Sequence, residues 1–141
     1  MRSLPLLTIA LIASAAVGAT ALADGALTKS PAMSPGWEFA EQGGADLFAD
    51  VCAACHQPDA KGAVGAGAYP PLADDKNLVS TDFILTVLLR GLKNMPPIGS
   101  MMSDAQVADV INYVRTHFGN NYPGTVSAAD VSAARRRTPP P

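Results

Sequence analysis

The stretch Val51-Cys52-Ala53-Ala54-Cys55-His56 constrains this chain more than any other. It holds both cysteines of the 141-residue sequence and one of its two histidines. A Cys-x-x-Cys pair serves four chemistries: a redox dithiol, a disulfide, half of a zinc site, or covalent attachment of a haem. Each needs different surroundings, so the rest of the sequence decides among them.

The amino terminus sets the compartment. Arg2 precedes an apolar run from Leu4 to about Val17, and small residues lead to Ala21-Leu22-Ala23. That order reads as a secretory signal peptide, residues 1–23, with an A-x-A cleavage site. A membrane anchor is the rival. Pro5, Thr8, Ser14 and Gly18 interrupt the run, which falls short of the ~20 residues a spanning helix needs. The expected product is exported, soluble and periplasmic, with no membrane span after cleavage. It is about the size of one domain. Between residues 37 and 118, five basic side chains stand against ten acidic ones. This acidic body argues against a nucleic-acid partner, because phosphate binding needs a basic face.

Residues 24–36 are rich in Ser, Pro and Gly and read as a flexible leader. Residues 37–120 form the expected domain. A helix is predicted from about Gly44 into the cysteine motif, with Leu47, Phe48 and Val51 as its large apolar members. Residues 57–81 show no sustained period and read as one long loop, which needs something to wrap around. Residues 82–90, DFILTVLLR, read as a helix capped by Ser80 or Thr81 and stopped by Gly91. Pro96 and Pro97 make NMPPIGSM a second loop. Ser103 and Gln106 fit a capping box. Val107, Val110, Ile111, Val114 and Phe118 then share one helical face, ended by Gly119-Asn120. Residues 121–141, poor in large apolar side chains, read as an extended C-terminal tail. The fold class is all-α: three to four helices joined by long loops. So thin a core calls for a staple, and a large bound cofactor is the natural one.

In this setting the readings of the motif separate. A redox dithiol needs a strand before it and a β-α-β context, which is missing. A structural disulfide gives His56 no role. Zinc lacks a fourth ligand, since His117 on the last helix has no ligand spacing. Haem attachment uses every residue. Thiols three positions apart on a helical turn reach two vinyl groups as thioethers, and the following histidine projects to the iron. Cys52 and Cys55 are the expected attachment residues and His56 the expected proximal iron ligand of one haem c.

A methionine is the expected sixth ligand, because soft sulfur raises the potential and keeps both oxidation states six-coordinate. Met95, Met101 and Met102 are the candidates. Met95 is preferred because Pro96-Pro97 would stiffen its loop. Met102 sits where a helix staple packs.

These pieces resemble a family, the class I c-type cytochromes. Within it the chain is most similar to small single-haem cytochromes serving periplasmic dehydrogenases, of the p-cresol methylhydroxylase cytochrome-subunit type. The stretches that carry the likeness are GADLFADVCAACH, YPPL, the helix ending in RG, NMPP and SDAQVADVINYVRTHFGN, from about residue 44 to 120. The resemblance implies a class I fold wrapped around one covalent haem. It assigns the Pro70 carbonyl as acceptor of the His56 ring N–H, and Leu72 as a side chain packed on the haem. It places Phe48 and Tyr113 where the first and last helices cross. Trp37 and the propionate partners have no match; Arg90 and Lys93 are candidates for the latter, with ordinary exposed charges as the alternative reading.

The expected function is single-electron transfer. The donor is a dehydrogenase, a flavoprotein on the strength of the resemblance alone, and the acceptor another cytochrome or an oxidase. The chain is not itself expected to be an enzyme. The alternative is a haem enzyme or ligand sensor with an open distal iron site.

Overall fold

The computed structural model describes residues 38–65 and 67–137. The signal peptide, the leader, Trp37 and residues 138–141 lie outside them. The chain divides into two units, Met1–Ser30 and Pro31–Pro141, and the described residues belong to the second.

The first helical stretch begins at Gly44 and runs to His56. It consists of α1 (Gly44–Leu47), a π-helical turn (Phe48–Cys52) and α2 (Ala53–His56). Gly43 starts it at φ 81, and Gln57 ends it at φ 69. Such π turns occur often at functional sites, and this one ends on the first cysteine. Gly44 is required for a reason its neighbours do not reveal. A Cβ there would overlap the Asp109 carbonyl and Tyr113 Cβ of α4 (Asp104–Thr116). The two helices therefore cross almost backbone to backbone.

The long segment after His56 has some structure of its own. Ala63–Val64 (β1) and Ala68–Tyr69 (β2) form a small antiparallel hairpin, pairing Ala63 with Tyr69 and Val64 with Ala68. A 3-10 turn follows at Lys76–Val79. Helix α3 (Thr81–Arg90) starts where the Ser80 hydroxyl accepts the Phe83 N–H at 3.3 Å, and stops at Gly91, φ 75. The Met-Pro-Pro loop ends in a second 3-10 turn, Ile98–Met101.

In α4 both halves of the capping box form. Ser103 Oγ accepts the Gln106 N–H (3.2 Å), and Gln106 Oε1 accepts the Ser103 N–H (2.8 Å). The Gln106 amide also donates to the Phe39 and Glu41 carbonyls, both at 2.9 Å, so the helix cap anchors the segment leading into α1. Val107, Val110, Ile111 and Val114 are buried as expected. Phe118 is not on that helical face. It lies past the end of α4 at φ 58 and still packs on Phe48, ring centroids 4.5 Å apart.

The expected extended tail needs the largest correction. Ala128–Arg137 is a helix, α5, packed on α4 and α3. Its start is fixed by Ser127 and Asp130: the Asp130 carboxylate accepts the Ser127 N–H (2.9 Å) and hydroxyl (2.6 Å). Val126, Val131 and Ala134 join the core. Alanine supplies helix propensity, and one fully buried valine contributes about 1.5–3 kcal/mol. Few large side chains suffice because α4 holds the connection by polar bonds. Asn112 Nδ2 donates to the Val126 carbonyl at 2.8 Å, and its Oδ1 accepts the Val126 N–H at 2.9 Å. Buried Arg115 donates to the Leu78, Pro123 and Gly124 carbonyls at 3.0, 2.7 and 2.8 Å. No helix among the described residues is long and apolar enough to cross a membrane.

Candidate haem-attachment site

The motif stands at the carboxyl end of the first helical stretch. Cys52 is half-buried, Cys55 is exposed, and both thiols are free. One helical turn separates them, Cys52 at the end of the π turn and Cys55 in α2. Burial, and then the neighbouring Cys55 thiolate, push the Cys52 thiol up to about 11. That is the reverse of a catalytic dithiol, whose reactive cysteine has a lowered pKa.

His56 is buried at 8% exposure. Its Nδ1 lies 2.9 Å from the Pro70 carbonyl oxygen. A carbonyl can only accept, so Nδ1 carries a proton, and in the neutral imidazole Nε2 then keeps a free lone pair. This is the state a ligating histidine needs, with its ring orientation fixed by the second nitrogen. The surrounding backbone is closely tied. Gly62 N–H donates to the His56 carbonyl at 2.9 Å, and Gly62 sits at φ 70 where a side chain would overlap the Tyr69 carbonyl. Leu72 is half-buried, and its N–H donates to the Ala60 carbonyl at 2.7 Å.

Met95 lies in a tight turn. Leu92 and Met95 exchange both backbone hydrogen bonds, each at 3.0 Å, across Lys93 (φ 54) and Asn94. Gly91 does more than end α3: a Cβ there would press on the Met95 carbonyl and on Pro96. Met95 is half-buried against the same core as Cys52 and Leu72. Met102 is buried in that core at 5% exposure, and Met101 is half-buried beside it.

Other candidates lie elsewhere. His117 is exposed, stacked on Tyr113 at 4.0 Å, with Nδ1 against the Tyr113 carbonyl. Arg90 and Lys93 are both exposed. Phe48 and Tyr113 meet at 5.9 Å at the α1–α4 crossing. Among the described residues no group of three or more His, Cys, Asp or Glu could hold a metal ion by itself. Sequence reasoning missed Gly44, Arg115 and Asn120. Asn120 was legible only as a helix terminator, although its side chain is almost wholly buried.

The donor set suits haem c. It offers two thiols one helical turn apart and an imidazole with its outer nitrogen engaged. A thioether stands on a stiff turn at the edge of the same core.

A family model described as cytochrome C oxidase, cbb3-type, subunit III, matches residues 39–114. The cytochrome c subunit of a quinone-dependent alcohol dehydrogenase from Gluconacetobacter polyoxogenes is 36% identical, covering 65% of this chain and 22% of that protein. The gluconate 2-dehydrogenase cytochrome c subunit of Pantoea cypripedii is 35% identical, covering 67% and 24%. The fructose dehydrogenase cytochrome subunit of Gluconobacter japonicus is 37% identical, covering 65% and 22%. The chain thus spans about a quarter or less of the length of these relatives. It belongs to this cytochrome c family. The matched region is an electron-transfer domain of the haem c type and not a catalytic module.

Proposed function

We propose that this protein carries single electrons in the periplasm through one haem c. Cys52 and Cys55 would hold the group covalently, and His56 and Met95 would ligate its iron. The observation that carries the reading is the buried His56 ring, held by the Pro70 carbonyl at 2.9 Å directly after the two thiols. When bound there, haem supplies a one-electron iron couple that the polypeptide lacks.

The chain's own residues do the rest. The helix ending at His56 fixes the attachment points. The Pro70 carbonyl holds the imidazole in one tautomer and orientation. The Leu92–Met95 turn and the two prolines hold the thioether with little freedom, so coordination can stay unchanged between oxidation states. Leu72, half-buried against the core, would pack on the ring and keep water from it.

The donor is a dehydrogenase, as the relatives' names suggest, and a flavoprotein on the first resemblance. A second cytochrome or an oxidase accepts the electron. The chain is exported by its first 23 residues. An absorption spectrum of the oxidised protein tests the ligand set: a weak band at about 695 nm marks iron–methionine coordination. Absence of that band, with ready CO binding by the reduced form, would replace the carrier with the open-site alternative.

A further inference from the structure

Asn120 is only 5% exposed although its side chain is fully polar. It follows Gly119 (φ 82) just beyond the last turn of α4. Its amide is satisfied on both sides. Nδ2 donates to the Leu72 carbonyl and to the Val114 carbonyl, each at 2.8 Å. Oδ1 accepts the Asp75 N–H at 3.1 Å. One side chain therefore ties the end of α4 to both ends of the segment Leu72–Asp75.

That segment begins two residues after Pro70, and nothing in it is loose. The Leu72 and Ala73 N–H groups both donate to the Ala60 carbonyl, at 2.7 and 2.9 Å. Asp74 N–H donates to the Phe118 carbonyl at 3.1 Å. Tyr122 Oη donates to the Asp75 carbonyl at 3.1 Å. At the other end, His56 closes the figure through its carbonyl to Gly62 and its ring to Pro70. The path from Asn120 to the imidazole is thus Asn120, Leu72, Pro70, His56. It has two hydrogen bonds and two residues of constrained backbone.

A hydrogen bond from the outer nitrogen of a ligating imidazole raises its basicity and favours the higher oxidation state of the metal. We infer that Asn120 is a positioning residue: it fixes the Pro70 carbonyl against His56 and so sets the donor strength of that ligand. The inference rests on the proposed ligation of haem iron by His56. Asparagine suits the task because it offers two donors and an acceptor in one plane. Aspartate would lose both donors, and alanine all three bonds.

The test compares full-length haem-loaded protein with its Asn120→Ala and Tyr122→Phe variants. Tyr122→Phe removes a single bond to the same segment, so it serves where Asn120→Ala does not fold. The spectrum of the unaltered protein comes first; if it shows no histidine-ligated haem c, the proposed function fails and the inference falls with it. With that spectrum in hand, the reduction potential and the NMR signal of the His56 ring N–H decide the role of Asn120. In Asn120→Ala the ring N–H should exchange faster and the potential should rise. The oxidised-to-reduced ratio at fixed ambient potential should fall about threefold, equivalent to about 28 mV at 59 mV per decade. Tyr122→Phe should move both readouts the same way by less. A lowered melting temperature with unchanged potential and unchanged His56 signal would overturn the inference and leave Asn120 a purely structural residue.

Discussion

The segment carrying His56 and Pro70 is held from a distance, whereas the segment carrying Met95 is held mostly by itself. Asn120, Tyr122 and Phe118 reach from beyond α4 to residues 72–75. By contrast, residues 91–102 close on themselves. Leu92 pairs with Met95, Ile98 N–H donates to the Pro96 carbonyl, Ser100 bonds Pro97, and Met102 N–H donates to the Gly99 carbonyl. Among the described residues, long-range hydrogen bonds reach only the far end of that segment. Phe39 N–H donates to the Met101 carbonyl at 3.1 Å, and Arg135 donates to the Met102 carbonyl at 2.7 Å. A segment with few bonds to the body can open without unfolding the rest. The methionine side should therefore release at lower temperature than the histidine side.

Cys52→Ser with Cys55→Ser has the largest expected effect, because it removes both anchors of the histidine side. No haem should survive denaturing gel electrophoresis; retention of haem by the double variant would refute the thioether assignment. Next comes Gly44→Val, which sets a side chain against the Asp109 carbonyl and Tyr113 where α1 crosses α4. It should lower stability by about 1–3 kcal/mol, read from denaturant midpoints, and loosen the helix that carries the motif. Met95→Ala attacks the other side alone. The band at about 695 nm should vanish and the potential should fall, with the His56 N–H signal kept. An unchanged spectrum would move the ligand to Met101 or Met102.

Smaller effects come from α5. Arg135 bonds Asp104 at 2.6 Å as well as the Met102 carbonyl, and the pair is about one-third exposed. Arg135→Gln should cost about 1 kcal/mol after allowance for solvent screening. Loss of methionine ligation on warming should come earlier in this variant, and loss of histidine ligation should not. The smallest effect is one of pH. The Ser127 hydroxyl, then its backbone N–H, hold the Asp130 carboxyl below the ordinary carboxylate range. A lowered folded pKa gives stability that is present above the unfolded value and lost as pH falls through the folded one. Amide protection in α5, relative to the intrinsic exchange rate at each pH, should therefore fall below about pH 4, and Asp130→Asn should abolish that dependence. If protection in α5 is the same on both sides of that range, the Asp130 cap does not hold it.

Much of the fold could be read along the chain because the interactions responsible are local. Ser80 caps α3, Gly91 stops it, and the Ser103–Gln106 box opens α4, since each spans three residues or one backbone angle. The same holds for Cys52, Cys55 and His56, whose spacing on one helical turn is itself the chemistry. The likeness to class I cytochromes supplied Pro70 as the partner of His56, and no local rule would have done so. What could not be read is long-range. Residues 128–137 look like a tail because their helix depends on Asn112, Arg115 and Arg135 meeting backbone far away. Phe118 looks like part of α4 because its spacing fits, yet the backbone turns away before it.

By itself the sequence determined the Cys52–His56 motif, the helix ends and the apolar face of α4, because neighbouring residues suffice to specify each. Only the tertiary structure decided that Gly44 must be bare, that Arg115 and Asn120 are buried, and that α5 docks. Those facts depend on which backbone carbonyls arrive beside a side chain, and that is settled only when distant segments pack.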